Sequence, residues 1–275
     1  MHQTGMIPRI FPLKPPAFKN SLGLHRVFHA SMSSAITAIE SAKRAAAHRA
    51  VDEQLSPSSH RVIGVGSGST IVYMVERLKQ RAAEFSQQIF IPTGFQSRQL
   101  IIDAGLRLGD IDQYPEIDVA IDGADEVDSG LNCIKGGGAA QLNEMIIARA
   151  AKKFVIIADS RKKSDRLGVK WVQGVPIEII PNGHVRLLHT IKNGLKTAQP
   201  IAVTLRMGLP AKAGPAVTDH GNFVADVHFG PIEDPAALYR ELKLLTGVVE
   251  VGLFCDMASA AYFGEEDGSV SMLKK

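Results

Sequence analysis

The stretch "RVIGVGSGSTIVYMVERL", Arg61 to Leu78, decides the fold. "RVIGV" is a short apolar run of the kind a buried strand wants. "GSGST" ends it as a loop. Thr70 then opens a helix in which Ile71, Met74, Val75 and Leu78 fall on one face. Strand, glycine turn and helix in that order form the unit from which open α/β sheets are built. Downstream, "QIFIP" reads as a second strand, and Thr93 is a candidate cap for the helix "FQSRQLIIDAG", with Gly105 as its stop. "IDVAIDG" and "KFVIIAD" are the third and fourth strands, separated by a helix from about Leu142 to Ala151. Upstream, the Ala-rich stretch from about Ile39 to Leu55 predicts another helix. The alternation predicts a Rossmann-like, open, mostly parallel sheet with helices on both faces.

The pattern changes after Trp171. "VPIEIIP", "QPIAVTLRM", "GPAVTD" and "NFVADVHF" read as strands with fewer helices between them, and "DHGN" (Asp219 to Asn222) as a hairpin turn. "DPAALYRELKLL" is a helix with Asp234 as N-cap and Pro235 at its first position. "GVVEVGLF" and a last hairpin around "EEDGS" follow. The expected organisation is an α/β domain over 35–171, to which 250–275 returns, and a smaller α+β, ferredoxin-like domain over 172–249.

Composition bounds the function. The chain has 275 residues, ample for a core, with 45% hydrophobic and 21% charged residues, as in ordinary globular proteins. A net charge of +3 is too small to imply nucleic acid. No apolar run is long enough for a membrane helix, so no membrane partner is expected. Cys133 and Cys255 sit in no CxxC or Cys/His cluster and read as reduced side chains. Residues 1–34 form a basic, acid-free leader carrying Arg9, Lys14, Lys19 and Arg26. Pro8, Pro12, Pro15 and Pro16 spoil an amphipathic import helix there. The leader therefore reads as a disordered extension ahead of Met32 in a cytoplasmic protein, the alternative being an organelle signal.

Several loops converge where parallel strands end, the edge at which such sheets bind ligands. "GVGSGST" presents backbone N–H groups beside a helix N-terminus, with Ser67, Gly68, Ser69 and Thr70 as donors. Neither the Walker ending nor the full dinucleotide fingerprint is present, and the loop alone reads equally as a phosphate cradle and as a ligand-free turn. Asp122 and Asp125 stand at the end of the third strand, where position favours function over capping; Glu126 and Asp128 read as turn and surface residues. Lys135 precedes Gly136, Gly137 and Gly138, a run whose entropic cost is justified by a ligand approaching the main chain. Glu144 opens a helix, where a glutamate can be a dipole partner or, in a closed site, a general base. Lys162 or Arg161 can reach an anion, although basic runs after strands are commonly solvated. This inventory fits acid/base chemistry on a small phosphorylated polyol, with no metal-ligand cluster and no nucleotide motif.

Taken together, "GVGSGST", "IPTGFQSRQL", "EIDVAIDGADEVD", "LNCIKGGGAA", "VIIADSRK", "GVPIEIIP", "VTDHGNF" and "GVVEVGLF" resemble, in order, segments of the A-type ribose-5-phosphate isomerase family, from about residue 35 to the C-terminus. The wording is closer to eukaryotic members. The resemblance implies interconversion of D-ribose 5-phosphate and D-ribulose 5-phosphate without a cofactor or metal, in a homo-oligomer with strands of the second domain near the interface. It makes Glu144 the proton acceptor and Lys135 the oxyanion partner. Asp122 would hold hydroxyls and help to open the ring, with Asp125 in support, and Gly123, Ala124 and Gly136 to Gly138 would line the substrate. Ser67 to Thr70 and Lys162 would bind the substrate, Ser67 to Thr70 at its phosphate end, with Lys43 as a weaker match. The sequence departs from the family pattern at Gly94, Asn143, Met145, Asn182, Gly183 and His220.

Overall fold

The computed structural model of the chain describes residues 22–275. Helix α1 (Leu22–Gln54) begins well ahead of Ile39. No proline lies between Pro16 and Pro57 to stop it. It therefore overlaps the expected leader, of which residues 1–21 lie outside the described residues. The fold then runs β1 (Val62–Val65), α2 (Ile71–Gln80), β2 (Ile89–Pro92), α3 (Phe95–Asp103), β3 (Ile117–Asp122), β4 (Glu126–Val127), β5 (Cys133–Ile134), α4 (Gln141–Ala150) and β6 (Ala151–Asp159). After a single 3₁₀ turn, Ser160–Lys162, it continues with β7 (Val175–Ile179), α5 (His184–Gly194), β8 (Ala202–Leu205), β9 (Phe223–His228) and α6 (Pro235–Lys243). Strands β10 (Val248–Val251), β11 (Leu253–Phe254), β12 (Ala258–Gly264) and β13 (Val270–Lys274) complete it.

The described residues form three sheets. The largest has the order β13-β12-β6-β3-β1-β2 and is parallel except at β13, which pairs antiparallel with β12. Its buried strands alternate their side chains between two cores. Val155 and Ile157 of β6 pack with Ala46, Ala50, Ile71, Met74 and Ile101 on one face, while Phe154, Ile156 and Ala158 pack with Met145 and Ile147 of α4 on the other. The direction of strand addition reverses between β1 and β3, so the loops leaving those two strands open a crevice, the switch point of a doubly wound sheet.

The second sheet, β10-β7-β9-β8, is antiparallel throughout. With α5 and α6 it makes the βαββαβ pattern of a ferredoxin-like unit, its core built on Ile177, Ile179, Leu187, Ile191, Leu238 and Leu242. Helix α5 goes beyond the expected elements: Gly183 precedes it in a left-handed conformation with no side-chain cap, so the usual start signal is missing. "GPAVTD" makes only the isolated bridges Met207–Pro215 and Val217–Phe223 instead of a strand. Asp234 does cap α6, accepting from the Ala237 N–H at 2.8 Å.

A third ribbon, β11-β5-β4, stitches the two larger sheets together. The run "VVEVGLF" is split between β10 and β11 by Gly252, whose N–H donates to Pro176 O at 2.7 Å and whose carbonyl accepts from Lys135 N at 2.9 Å. A Cβ there would stand 2.2 Å from Lys135 O, so only glycine fits.

Two further expectations are corrected. Thr93 does not cap α3; Gly94 holds that position, and the first helical N–H, of Phe95, is taken by Asp219 Oδ2 at 3.1 Å. Glu126 and Asp128 are buried, not surface residues. Asp128 still organises its turn, accepting from Gly130 N, Asn132 N and Asn132 Nδ2. Glu126 accepts from four backbone N–H groups, those of Gly168, Val169, Lys170 and Trp171, at 2.7 to 3.3 Å. Those donors come from a loop more than forty residues away and replace the solvent that a turn residue would keep. Glu126→Gln puts an amide NH₂ against N–H donors. It is expected to cost about 2–3 kcal/mol, the range for buried hydrogen bonds to a charged group, read as a lowered denaturation midpoint in urea.

Candidate active site

The crevice at the switch point is a cleft of about 490 Å³. Strand ends and helix turns make its walls. The turn after β1 brings Ser67 to Thr70, the end of β3 brings Gly123 to Asp125, and β5 runs into Lys135 and the three glycines, while Asp122 is buried behind the lining. The first turn of α4 supplies Glu144, and the 3₁₀ turn after β6 supplies Arg161 and Lys162. Lys43 of α1 also lines the cleft and pairs with Glu40 at 2.8 Å. Apart from Asp122, which is buried behind it, the expected site residues line this crevice. Gly66 shows how close the packing is: a Cβ would lie 1.9 Å from Asp122 Oδ1.

At the centre is a buried ion cluster. Lys135 Nζ sits 2.9 Å from Asp122 Oδ2 and 3.4 Å from Glu144 Oε1, and donates to Gly123 O at 2.5 Å. The lysine is 2% exposed, Asp122 1% and Glu144 5%. Asp122 Oδ1 accepts from Ser67 N at 3.0 Å and Gly123 N at 2.7 Å, which fixes the carboxylate. Glu144 Oε1 accepts from Ser67 Oγ at 3.0 Å, while Oε2 has no hydrogen-bond partner. Asp125 Oδ2 accepts from Gly137 N at 2.7 Å, and a Cβ on Gly137 would lie 2.6 Å from Asp125 Oδ1. Here the glycine does let a polar group approach the main chain, though the group is the protein's own carboxylate.

The electrostatics follow from burial and charge count. Burial pushes the Glu144 carboxyl up to about 7; Lys135 and Ser67 pull against that, and the Asp122 and Asp125 charges add to it. Burial alone would lower the Lys135 ammonium, but Asp122 and Glu144 outweigh it and hold the lysine charged, above its ordinary range. Burial also raises Asp125, against the Gly137 N–H and the Lys135 charge. The site therefore holds a permanent cation beside a carboxyl that changes protonation near neutrality. That suits proton transfer on a substrate whose oxygen develops negative charge. Among the described residues, no group of three or more His, Cys, Asp or Glu could hold a metal ion.

Several cleft residues escape sequence reasoning. Gln96 Oε1 accepts from Gly68 N at 2.7 Å, so one N–H of the glycine turn is already engaged. Asp219 reaches the cleft from the turn between the Val217–Phe223 bridge partners. Its neighbour His220 contacts Asn143 Oδ1 through Nε2 at 2.8 Å. Gly94, Asn143 and His220, three of the departures from the family pattern, therefore gather around one turn: a Cβ at Gly94 would lie 3.2 Å from Asp219 Oδ2. Met145 packs in the core under α4 and carries no polar contact to Glu144. Lys162 lies over the Trp171 ring at 4.8 Å, and Arg161 is turned onto Asp159 at 2.6 Å.

Comparison with known proteins identifies the family. The family described as ribose 5-phosphate isomerase A (phosphoriboisomerase A) matches residues 89–268. A ribose-5-phosphate isomerase of Schizosaccharomyces pombe is 56% identical over 239 residues, covering 87% of this chain and 85% of that protein. A solved D-ribose-5-phosphate isomerase in complex with phospho-erythronic acid superposes with a TM-score of 0.78 at 38% identity, covering 86% of this chain and 99% of that one. The ribose 5-phosphate isomerase from Plasmodium falciparum gives a TM-score of 0.79 at 31% identity, with coverage of 86% and 99%.

Lys135→Met leaves Asp122 and Glu144 buried without a counter-charge. We expect a loss of roughly 3–5 kcal/mol at pH 8, the cost of breaking a buried pair from one side. The loss should shrink as pH falls and Glu144, whose carboxyl burial raises to about 7, takes up a proton, because its neutral form carries no unpaired charge. Urea denaturation at pH 8 and pH 5 measures the difference.

Proposed function

The chain belongs to the ribose 5-phosphate isomerase A family and is an isomerase; from that premise we propose that it interconverts D-ribose 5-phosphate and D-ribulose 5-phosphate by proton transfer between C2 and C1, through an enediolate and without a metal. The observation that carries this reading is the buried cluster in which Lys135 stands within 3.4 Å of both Asp122 and Glu144.

In the proposed reaction the phosphate lies against Ser69, Thr70 and the end of α2, with Lys43 and Lys162 as cations lining the same cleft. Asp122 accepts from a sugar hydroxyl and assists ring opening, with Asp125 beside it. Glu144 Oε2, the oxygen without a partner, removes the C2 proton and returns it to C1. The electron pair moves onto the C1 carbonyl oxygen, which the Lys135 ammonium faces; as the proton returns to C1, the C2 hydroxyl passes its own proton to that oxygen and becomes the ketone. A carboxyl raised to about 7 is present in both forms near neutrality, which suits a reversible reaction that needs a base and then an acid. The complex of a relative with phospho-erythronic acid supports the substrate class, because that compound pairs a phosphate with a carboxylate at the other end of a short polyol.

This activity belongs to the non-oxidative pentose phosphate pathway, and we place it in the cytoplasm. Both cysteines are free, as a reducing compartment requires. We further propose a homo-oligomer. Ile201 and Leu209, 69% and 66% exposed, flank the open edge of β8 and supply an apolar face for a second copy. Light scattering of the purified protein that returned a monomer mass would refute this assembly.

The isomerase is tested by ribulose 5-phosphate formation from ribose 5-phosphate. Glu144→Gln should lower kcat by about 10²–10⁴-fold, the usual contribution of a positioned base; near-normal turnover would remove Glu144 from that role. The base works only when deprotonated and its carboxyl is raised to about 7, so kcat/KM should climb as pH rises from 5 and level off above about 7. A rate independent of pH over that range would contradict the assignment.

A further inference from the structure

Arg206 lies just past β8, on the antiparallel sheet, yet its guanidinium ends at the glycine run of the parallel-sheet site. Nη1 donates to Gly136 O at 3.0 Å and to Gly137 O at 3.1 Å. Nε and Nη2 form a two-point pair with Asp226 of β9, at 2.8 and 2.5 Å. The partners' side chains are 18% and 15% exposed, so the pair is largely withdrawn from water. The backbone that carries Arg206 is itself held on both sides. Its N–H donates to Val224 O at 2.8 Å, and its carbonyl accepts from Ala216 N at 2.9 Å.

Gly136 has a φ of +98°, and the two carbonyls belong to a loop outside every ladder. Such groups must find partners or lose free energy. The opposite edge of the same loop donates Gly137 N to Asp125. The glycine run is thus gripped from two sides, by a fixed guanidinium on its carbonyls and a cleft carboxylate on its N–H. Lys135 is the residue immediately before the run.

We propose that Arg206 is a positioning residue for the isomerisation: by holding the Gly136 and Gly137 carbonyls it sets the height of the glycine run against Asp125 and aims Lys135 at the reacting oxygen. This rests on the isomerase reading above. It assigns to the antiparallel sheet a part in the reaction carried by a single planar fork. Lysine cannot reproduce that part, because one ammonium cannot hold a two-point pair with Asp226 and two carbonyls in fixed geometry.

The test compares wild type with Arg206→Met and Arg206→Lys in steady-state kinetics and amide hydrogen exchange of the whole chain. Arg206→Met should lower kcat by about tenfold to a hundredfold, the scale of a misplacement of about 1 Å. KM should change by less than about threefold, because the guanidinium touches no substrate. Exchange over residues 135–139 should quicken in that variant, while β1, β3 and β6 keep their protection. Arg206→Lys should fall between the two proteins. A variant with kcat within about threefold of wild type and unaltered exchange at 135–139 overturns the proposal. If Arg206→Met does not fold, Arg206→Lys decides by the same two readouts. Inactivity of the wild type would sink the isomerase reading instead, and the exchange data would still report on the grip.

Discussion

One ammonium group, buried between two carboxylates, constrains everything around it. Taking such an ion out of water costs several kcal/mol even after relaxation. Lys135 is 2% exposed and remains charged because Asp122, Glu144 and the Gly123 carbonyl all meet it. These groups are brought together from three elements. Asp122 closes β3, Glu144 opens α4, and β5 delivers the lysine. The small residues follow from the same demand: Gly66 and Gly252 stand where any side chain would collide with Asp122 or with the Lys135 carbonyl. Burial, with the Asp122 and Asp125 charges adding to it, raises the Glu144 carboxyl to about 7, against the pull of Lys135. Stability and reactivity thus come from one arrangement.

The parallel sheet was largely legible in the sequence, because its strands are continuous apolar runs that cannot be exposed. "VIGV" is buried at every position, and its helix buries Ile71, Met74, Val75 and Leu78, the predicted face. The end of the third strand was also legible, and Asp122 with it; Lys135 was marked by the glycine run that follows it, while Glu144, at a helix start, left both a dipole partner and a base open. The antiparallel sheet was less so. Helix α5 lacks a capping side chain, and "GPAVTD" is too interrupted by turns to pair over its length.

The contacts that escaped are those made across the chain. Glu126 looks like a surface residue until the loop at 168–171 folds its N–H groups over it. Asp219 looks like one corner of a hairpin until it is seen on the first N–H of α3. Arg206 is one cation in a β run. In each case the sequence shows the donor or the acceptor and hides the partner, which lies tens of residues away. Local pattern carries burial and period, and long-range pairing of polar groups has no such signature.

The interposed antiparallel sheet has a consequence for how the molecule is made. Strand β6 ends at Asp159, and its parallel neighbour β12 begins only at Ala258, after β7 to β11. Pairing across so long a stretch of chain is slow, because the entropy of closing the loop is lost before the ladder returns anything. A nascent chain that has reached β6 already holds Asp122, Lys135 and Glu144. It has neither the Gly252 carbonyl that seats Lys135 nor the strand that covers the open edge of β6. Such an intermediate exposes an apolar strand edge beside ionised groups still awaiting burial. The strand that shuts the core is therefore made well after the site residues, and a ribosome-bound fragment ending short of β12 exposes an edge prone to aggregation.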